Sequence, residues 1–157
     1  MKKTNAARML DKAGIKYDLR EYPVDENNLG AEYVAEKTGL PAGQVFKTLV
    51  ARGDRTGVLL ACIPGAAELD LKALAAVSGN KRVDMVHLRE VCSLTGYIRG
   101  GVSPLGTKKT YPVYIDGSAF SWPVITVSAG VRGCQIIINP HDLAGVLKAR
   151  TGQLTHS

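Results

Sequence analysis

The chain has 157 residues, enough to bury roughly two-thirds of the surface that its unfolded form exposes without help from metal ions or disulfides. Apolar residues make up 45% and charged residues 22%, which excludes a disordered chain, and no apolar run approaches the ~18 residues of a membrane-spanning helix. Lysine and arginine outnumber acidic residues by 20 to 14, and the net charge of +6 favours an anionic partner without identifying it.

The first forty residues predict a helix, a strand, a loop and a second helix. Apolar residues at helical spacing over 6–13 indicate a helix that ends at Gly14. Apolar and polar residues alternate over 15–19, which predicts a half-buried strand. A polar loop covers 23–28, and a short helix begins at Ala31 and ends before Gly39 and Pro41.

The middle of the chain predicts a hairpin and two further helices. Apolar runs at 45–51 and 58–63 flank a polar, glycine-containing segment, as in an antiparallel hairpin. Asp70 caps a helix that ends at Gly79. A strand is predicted over 82–86, followed by a helix over 87–94 that ends at Gly96.

The remainder is rich in strands until Pro140, which opens a last helix. Strands are predicted at 97–98, 113–115, 124–127 and 135–138. Helices interleaved with strands predict one α/β (α+β) domain over 1–157, with a mixed sheet and helices packed outside it.

Cysteine usage and the start of the chain indicate a cytoplasmic protein. Cys62, Cys92 and Cys134 are odd in number and lack metal-ligand spacing, which favours a reducing compartment. Met1 to Asn5 lead into an amphipathic helix, so no secretory signal is expected.

Lys47 is the first candidate site residue. Alternation along its strand puts the lysine on the same face as Val45, Leu49 and Ala51. An ammonium among apolar neighbours either reaches water, as an edge-strand lysine does, or meets an anion at the floor of a cleft. The segment itself leaves both interpretations open.

Two glycine-rich segments are the next candidates. Gly100, Gly101 and Ser103 lie in the first, at 100–106, which the basic residues Arg99, Lys108 and Lys109 flank, as in an anion-binding bend. Ser128, Gly130 and Arg132 lie in the second, at 127–133, where a guanidinium suits a phosphate. Plain connections between strands are the alternative for both.

The sequence lacks a nucleophile–base pair. Cys62 and Cys134 lie in predicted strands as core thiols, and Cys92 has no evident base. The three histidines show no spacing typical of a catalytic triad or a metal site. An enzyme built on this chain must rely on positioning, on backbone dipoles or on groups of its substrate.

Several segments together resemble the YbaK family of bacterial Cys-tRNA(Pro) deacylases, in the same order and over nearly the whole chain. The Gly-Gly-x-Ser-Pro-Leu-Gly segment at 100–106 is the most specific of them. The others lie at 45–49, 69–72, 93–97 and 127–133.

The resemblance implies a mixed sheet curled toward a barrel with flanking helices, like the editing domain of some prolyl-tRNA synthetases. It also implies a trans-acting enzyme that clears Cys-tRNA(Pro), and Cys-tRNA(Cys) as a further substrate. The thiol of the bound cysteine attacks its own carbonyl in this family, so neither a protein nucleophile nor a cofactor or metal is expected.

Site residues follow from the same resemblance. Lys47 is the indispensable lysine that anchors the terminal nucleotide, and Gly101 with its loop neighbours, including Gly100 and Ser103, cradles the carbonyl and the oxyanion. The same pocket is lined by Tyr22, Ser128 and Arg132. Gly130 in the second loop is also expected to bind the substrate. Leu29 is a further expected substrate-binding residue, although the chain departs from the family there, where an aromatic residue is expected. The chain also departs from the family at Gln135, where some relatives carry a carboxylate.

Two other functions stay open from the residues. One is an Ala-tRNA(Pro) deacylase in which water attacks the ester. The other is a non-catalytic module that binds RNA ends or nucleotides. Because basic residues are not clustered, few tRNA contacts beyond the acceptor end are expected, and prolyl-tRNA synthetase is the expected partner in a ternary complex.

Overall fold

The computed structural model describes residues 3–156, so Met1 and Lys2, the first residues of the predicted start, lie outside the described range. Within this range the chain forms five α-helices, which are α1 (Asn5–Ala13), α2 (Ala31–Thr38), α3 (Leu71–Ser78), α4 (Leu88–Thr95) and α5 (Pro140–Leu147). The eight strands are β1 (Asp18–Glu21), β2 (Phe46–Gly53), β3 (Gly57–Pro64), β4 (Val83–Met85), β5 (Val113–Asp116), β6 (Ile125–Ser128), β7 (Cys134–Ile138) and β8 (Arg150–Gly152). Short 3-10 helices cover Ala42–Gln44 and Gly117–Ser121. None of the helices in 3–156 is long and apolar enough to cross a membrane.

The strands form two sheets, which confirms the predicted mixed α+β class. One sheet is antiparallel with the order β1-β7-β6, and the other has the order β4-β2-β3-β5-β8. In the larger sheet β2 pairs antiparallel with β3 and β4, whereas β3–β5 and β5–β8 are parallel. The predicted hairpin at 45–51 and 58–63 is confirmed as β2 and β3.

The two sheets meet at the start of β2 but do not close into a barrel. A single parallel bridge joins Val45 to Thr126 of β6. The larger sheet ends in β4 and β8, each of which has a paired strand on one side only. The predicted mixed sheet with flanking helices is therefore confirmed, and the structure adds that its strands form two open sheets that share this junction.

Helix boundaries follow the local signals in the sequence. Gly14, Gly39, Gly79 and Gly96 all adopt the left-handed conformation directly after a helix, with φ between 71° and 84°. The Asp70 side chain accepts hydrogen bonds from the N–H groups of Lys72 and Ala73 at the start of α3.

Two strand predictions differ from the structure. Residues 97–98 are not a strand, because no described segment pairs with their backbone. The Tyr97 side chain is buried, and its hydroxyl donates to the carbonyl oxygens of Leu105 (2.7 Å) and Gly106 (3.1 Å). The first strand runs over Asp18–Glu21 instead of 15–19, and its four residues are exposed. β1 is an edge strand, so pairing with β7 rather than burial determines where it lies.

Candidate active site

A cavity of about 360 Å³ opens where the two sheets meet, within the size range of small-molecule sites. Its walls come from the start of β2, the β6–β7 hairpin, α2, α4 and the first glycine-rich loop. Most lining side chains are apolar, among them Val34, Phe46, Val86, Val91 and Val102.

Lys47 reaches this cavity from β2. On its face of the strand, Val45 packs with Val34 and Ala35 of α2, while Ala51 packs in a second cluster against α3. Lys47 lies between these packed regions, is partly buried and lines the cavity together with Gly100 and Ser128. Its place on the cavity wall is compatible with the second of the two interpretations left open by the sequence, a lysine at a cleft.

The β6–β7 hairpin supplies a polar wall. Ser128 and Gln135 are opposite each other in its register, and both line the cavity. The fully buried Thr126 hydroxyl donates to Oε1 of Gln135 (3.0 Å). Ser128 Oγ accepts a hydrogen bond from the N–H of Gly130 (3.1 Å), which holds the serine side chain at the start of the second glycine-rich loop.

The two glycine-rich loops pack directly on one another. Nε of Arg132 donates to the carbonyl oxygen of Arg99 (2.8 Å) and so joins the second loop to the first. A Cβ added to Gly101 would lie 3.1 Å from the backbone nitrogen of Arg132. Gly130 has φ +98°, and a Cβ there would lie 2.7 Å from the ring of Tyr97. Glycine at position 101 lets the two loops approach each other, and glycine at position 130 lets the second loop approach Tyr97.

A small recess adjoins the cavity. Tyr22, Asp25 and Arg132 line it, together with Leu29 and Gly100, which also line the main cavity. The Tyr22 ring packs edge-on against Tyr33, with 6.5 Å between ring centroids. The predicted site residues Tyr22, Leu29, Lys47, Gly100, Ser128 and Arg132 thus gather around two connected spaces.

Three expected contacts differ from the geometry, and one of them is Gly130, which lines neither the cavity nor the recess. Ser103 is fully buried, and its hydroxyl accepts a hydrogen bond from the N–H of Leu105, so it shapes its own turn and does not line the cavity. The Gly101 N–H donates to the carbonyl oxygen of Ile98 (2.8 Å) and is not free to meet an oxyanion. Within residues 3–156, the N–H groups of the neighbouring Gly100 and Val102 donate to no protein acceptor.

The charge of the cavity is positive. Lys47 and Arg99 are its charged lining residues, and among the described residues none of the others that line it is Asp, Glu, His or Cys. Cys62 is fully buried in the core, and burial raises the pKa of its thiol to about 12. Burial also raises the pKa of Cys134, while Cys92 is exposed on α4. Residues 3–156 contain no cluster of side chains that could hold a metal ion.

Sequence reasoning missed three residues of the site. Arg99 lines the cavity, Tyr97 supports both loops, and Thr126 orients Gln135. The basic flank of the first loop was a signal for Arg99. The roles of Tyr97 and Thr126 depend on contacts between distant segments, for which a single sequence has no local signal.

Several known proteins are similar to this chain in sequence and in fold. An Enterococcus faecalis protein described as a candidate Cys-tRNA(Pro)/Cys-tRNA(Cys) deacylase, EbsC, is 46% identical over 153 residues, which cover 98% of this chain and 93% of that protein. The proline–tRNA ligase of Thermosipho africanus is 33% identical over 78 residues, half of this chain and 14% of the ligase. A crystal structure of a candidate trans-editing enzyme for prolyl-tRNA synthetase has a TM-score of 0.83 and 26% identity, covering 99% of this chain and 100% of that one.

The aminoacyl-tRNA editing domain family matches residues 25–146, a span that includes β2, both glycine-rich loops and every residue that lines the main cavity. Of the residues that line the recess, Tyr22 and Val24 lie outside this span. With this match over most of its length, the chain belongs to the aminoacyl-tRNA editing domain family.

Proposed function

We propose that the protein removes cysteine from Cys-tRNA(Pro) in trans, and from Cys-tRNA(Cys) as a further substrate. The observation that carries the proposal is a cationic cavity whose lining, within residues 3–156, contains no cysteine, histidine or carboxylate. Such a cavity suits an anionic nucleotide end and a reaction whose nucleophile comes with the substrate. The similarity to EbsC supports the choice of cysteine.

In the proposed reaction the sulfur of the esterified cysteine attacks its own carbonyl carbon. A C–S bond forms, the bond from that carbon to the ribose oxygen breaks, and the thiol proton passes through water to the departing ribose oxygen. The products are free tRNA and a cyclic thiolactone, which water then opens to cysteine. Holding the reacting atoms in contact contributes at most about 7–11 kcal/mol, so the protein's task is to fix the conformation.

The protein's own groups bind and polarise. Lys47 and Arg132 are suited to phosphates of the terminal nucleotides, because both are cations on the walls of connected spaces. The unengaged N–H groups of Gly100 and Val102 are suited to the developing oxyanion, and each such donor contributes on the order of 3 kcal/mol. Gly101 then acts by its lack of a side chain, which lets the loops pack.

A deacylation panel tests this function. Wild-type protein is mixed with Cys-, Ala- and Ser-tRNA(Pro), and we expect release of tRNA from the cysteinyl ester with little from the seryl ester, since a hydroxyl is the weaker nucleophile. Preference for the alanyl ester shows instead that water attacks. No release from any ester, with tRNA binding intact, shows a binding module.

A matched pair of lysine variants tests the site. We expect Lys47→Ala to lower kcat/KM by at least ~100-fold, because it removes a charged hydrogen bond from a partly enclosed site. Lys12→Ala changes an exposed lysine on α1 and leaves the rate unchanged. Equal rates for both variants contradict the assigned role of Lys47.

We further propose that the protein works in the cytoplasm, in a ternary complex with prolyl-tRNA synthetase and tRNA. The dispersed basic residues offer few contacts for choosing one tRNA, so selectivity must come from a partner. Co-elution of the protein with the synthetase only when tRNA(Pro) is present supports this complex. Failure to co-elute under conditions in which the synthetase binds tRNA contradicts it.

A further inference from the structure

Gln135 presents an oriented hydrogen-bond donor to the cavity. The residue is 5% exposed, and Oε1 accepts a hydrogen bond from the hydroxyl of Thr126 at 3.0 Å. Within residues 3–156, Nε2 has no hydrogen-bond partner, whereas every fully buried side-chain nitrogen or oxygen atom has one. Nε2 is therefore not fully buried. Nε2 therefore faces the open cavity that Gln135 lines, with N–H groups available to a ligand.

The groups around Gln135 add donors and positive charge. Lys47 faces the cavity from β2 and Arg99 from the first glycine-rich loop. On β1 the register neighbour of Gln135 is Arg20, whose guanidinium donates to the carbonyl oxygen of Thr38 (3.0 Å). On β6, Ser128 Oγ already accepts the N–H of Gly130.

Carboxylates lie elsewhere. α2 contributes Ala31 and Val34 to the lining, α4 contributes Leu88 and Val91, and none of these can ionise. Asp25 lies in the adjoining recess, where Arg132 shares the lining. Among the described residues that line the main cavity, no carboxylate is available to pair with a bound ammonium group.

We propose that the cavity takes the aminoacyl group with its α-amine uncharged and that Gln135 donates a hydrogen bond to that amine. The proposal rests on the proposed function, because it concerns the aminoacyl ester as substrate. An ammonium has three donors and no acceptor, so it cannot accept a hydrogen bond from Nε2 of Gln135, whereas the lone pair of a neutral amine can. An α-amine ordinarily titrates at about 7.7–8.0, so its neutral form is available near neutral pH.

The consequence is a pH-dependent affinity that originates in the ligand. Below the pKa of the amine, each decrease of one pH unit reduces the fraction of ligand with a neutral amine about tenfold. The apparent Kd rises by the same factor. An otherwise identical ligand with a hydroxyl in place of the amine has no such dependence.

The test uses two stable probes, both adenosines that carry an amide instead of an ester at the ribose 3′ position. One bears serine, which avoids ionisation of a thiol, and the other bears the matching α-hydroxy acid. Kd is measured from about pH 6 to about pH 9 by calorimetry. We expect the affinity for the serine probe to decrease about tenfold per pH unit below the pKa of its amine, and the affinity for the hydroxy probe to stay constant. The proposal is overturned if the Kd of both probes depends on pH in the same way, or if the serine probe binds more tightly at low pH. Wild-type protein is sufficient for this test.

Variants assign the effect to Gln135. Gln135→Glu supplies an acceptor for ammonium, so we expect its serine-probe affinity to become flat or to increase at low pH. Gln153→Glu adds the same charge at an exposed position and keeps the wild-type profile. A wild-type profile in folded Gln135→Glu overturns the assignment. Deacylation of Cys-tRNA(Pro) is measured in parallel: its absence overturns the proposed function, whereas deacylation with equal probe profiles overturns this inference alone.

Discussion

Tyr97 supports both glycine-rich loops through one side chain. Its hydroxyl donates to the carbonyl oxygens of Leu105 and Gly106 in the first loop, while its ring lies against Gly130 of the second. Because the residue is only 7% exposed, water cannot easily replace the hydroxyl donor in a variant that lacks it.

We expect Tyr97→Phe to lower the free energy of unfolding by about 1–3 kcal/mol and to lower kcat several-fold. The loss of activity arises because the first loop, which contributes Arg99, Gly100 and Val102 to the cavity, loses its anchor. Thermal denaturation and single-turnover deacylation measure the two effects.

Tyr111→Phe is the matched control. The Tyr111 hydroxyl donates to the carbonyl oxygen of Leu94 (2.7 Å), so this variant loses a similar hydrogen bond outside both loops. A comparable loss of stability with unchanged kcat is the expected outcome. If both variants reduce kcat equally, the first loop does not depend on Tyr97.

Buried acids make the protein sensitive to alkali. Burial raises the pKa of the Cys62 thiol from 9.0 to about 12, and burial likewise raises the pKa of Tyr97. In the unfolded chain these groups ionise at their ordinary pKa values, so above about pH 9 the folded state binds more protons and its stability falls as pH rises toward 12.

We therefore expect the Tm to stay nearly constant from about pH 7 to about pH 8.5 and to decrease above that range. Cys62→Ala lowers the Tm at neutral pH, because it leaves a cavity, but its Tm decreases less steeply between about pH 9 and about pH 11. Thermal denaturation across this range measures both slopes. Parallel curves for the two proteins contradict the contribution of Cys62.

At the scale of elements, the β2–β3 hairpin is held at its turn by Asn80, which follows α3. Oδ1 of Asn80 accepts the N–H groups of Arg55 (2.9 Å) and Thr56 (3.0 Å), and Nδ2 donates to the hydroxyls of Thr56 and Ser78. Lys47 pairs with Ile63 near the opposite end of the hairpin, far along the strands from this turn.

We expect Asn80→Ala to lower the free energy of unfolding by about 2–4 kcal/mol, which lowers the Tm by ~2–4 °C per kcal/mol. Asn80→Asp keeps the acceptor for both N–H groups and loses less. Because the site lies at the other end of β2, kcat at 25 °C stays within about twofold of wild type, as deacylation assays measure. A large change in KM or kcat in folded Asn80→Ala contradicts this separation of stability from activity.

The elements that the sequence predicts correctly are those with local causes. Gly79 and Gly96 end helices because a left-handed residue is needed there, Pro140 opens α5, and the two apolar runs form the hairpin. Residues 97–98 fail as a strand because no described segment pairs with their backbone, and a single sequence has no local signal for such pairing.

The same distinction applies to the candidate site. Alternation in one strand placed Lys47 on the same face as Val45, Leu49 and Ala51, but it left open whether the lysine reaches water or faces a cleft. Ser103 was assigned to the substrate because its loop was assigned as a whole, and sequence does not show that its hydroxyl serves the N–H of Leu105 instead. β8 and the separation into two sheets depend on pairing between distant segments, which has no local signature.

At the scale of the whole molecule, the net charge of +6 is larger than the number of cations that the site offers to tRNA phosphates. Three cations, Lys47, Arg99 and Arg132, line the cavity and its recess. The acceptor end of tRNA is single-stranded, and each neutralised phosphate of a single strand changes log K by roughly 0.7 per tenfold change in salt.

Three phosphate contacts therefore predict a slope of about −2 in a plot of log K against log salt concentration. The binding constant is measured by fluorescence anisotropy with a tRNA that carries no amino acid. Lys47→Ala reduces the magnitude of this slope by about 0.7, whereas Lys12→Ala, at an exposed position on α1, leaves it unchanged. A slope steeper than about −5 means that the tRNA covers a much wider basic surface than the cavity mouth. The protein would then have enough contacts to choose its tRNA alone, and the need for prolyl-tRNA synthetase as the selecting partner would disappear.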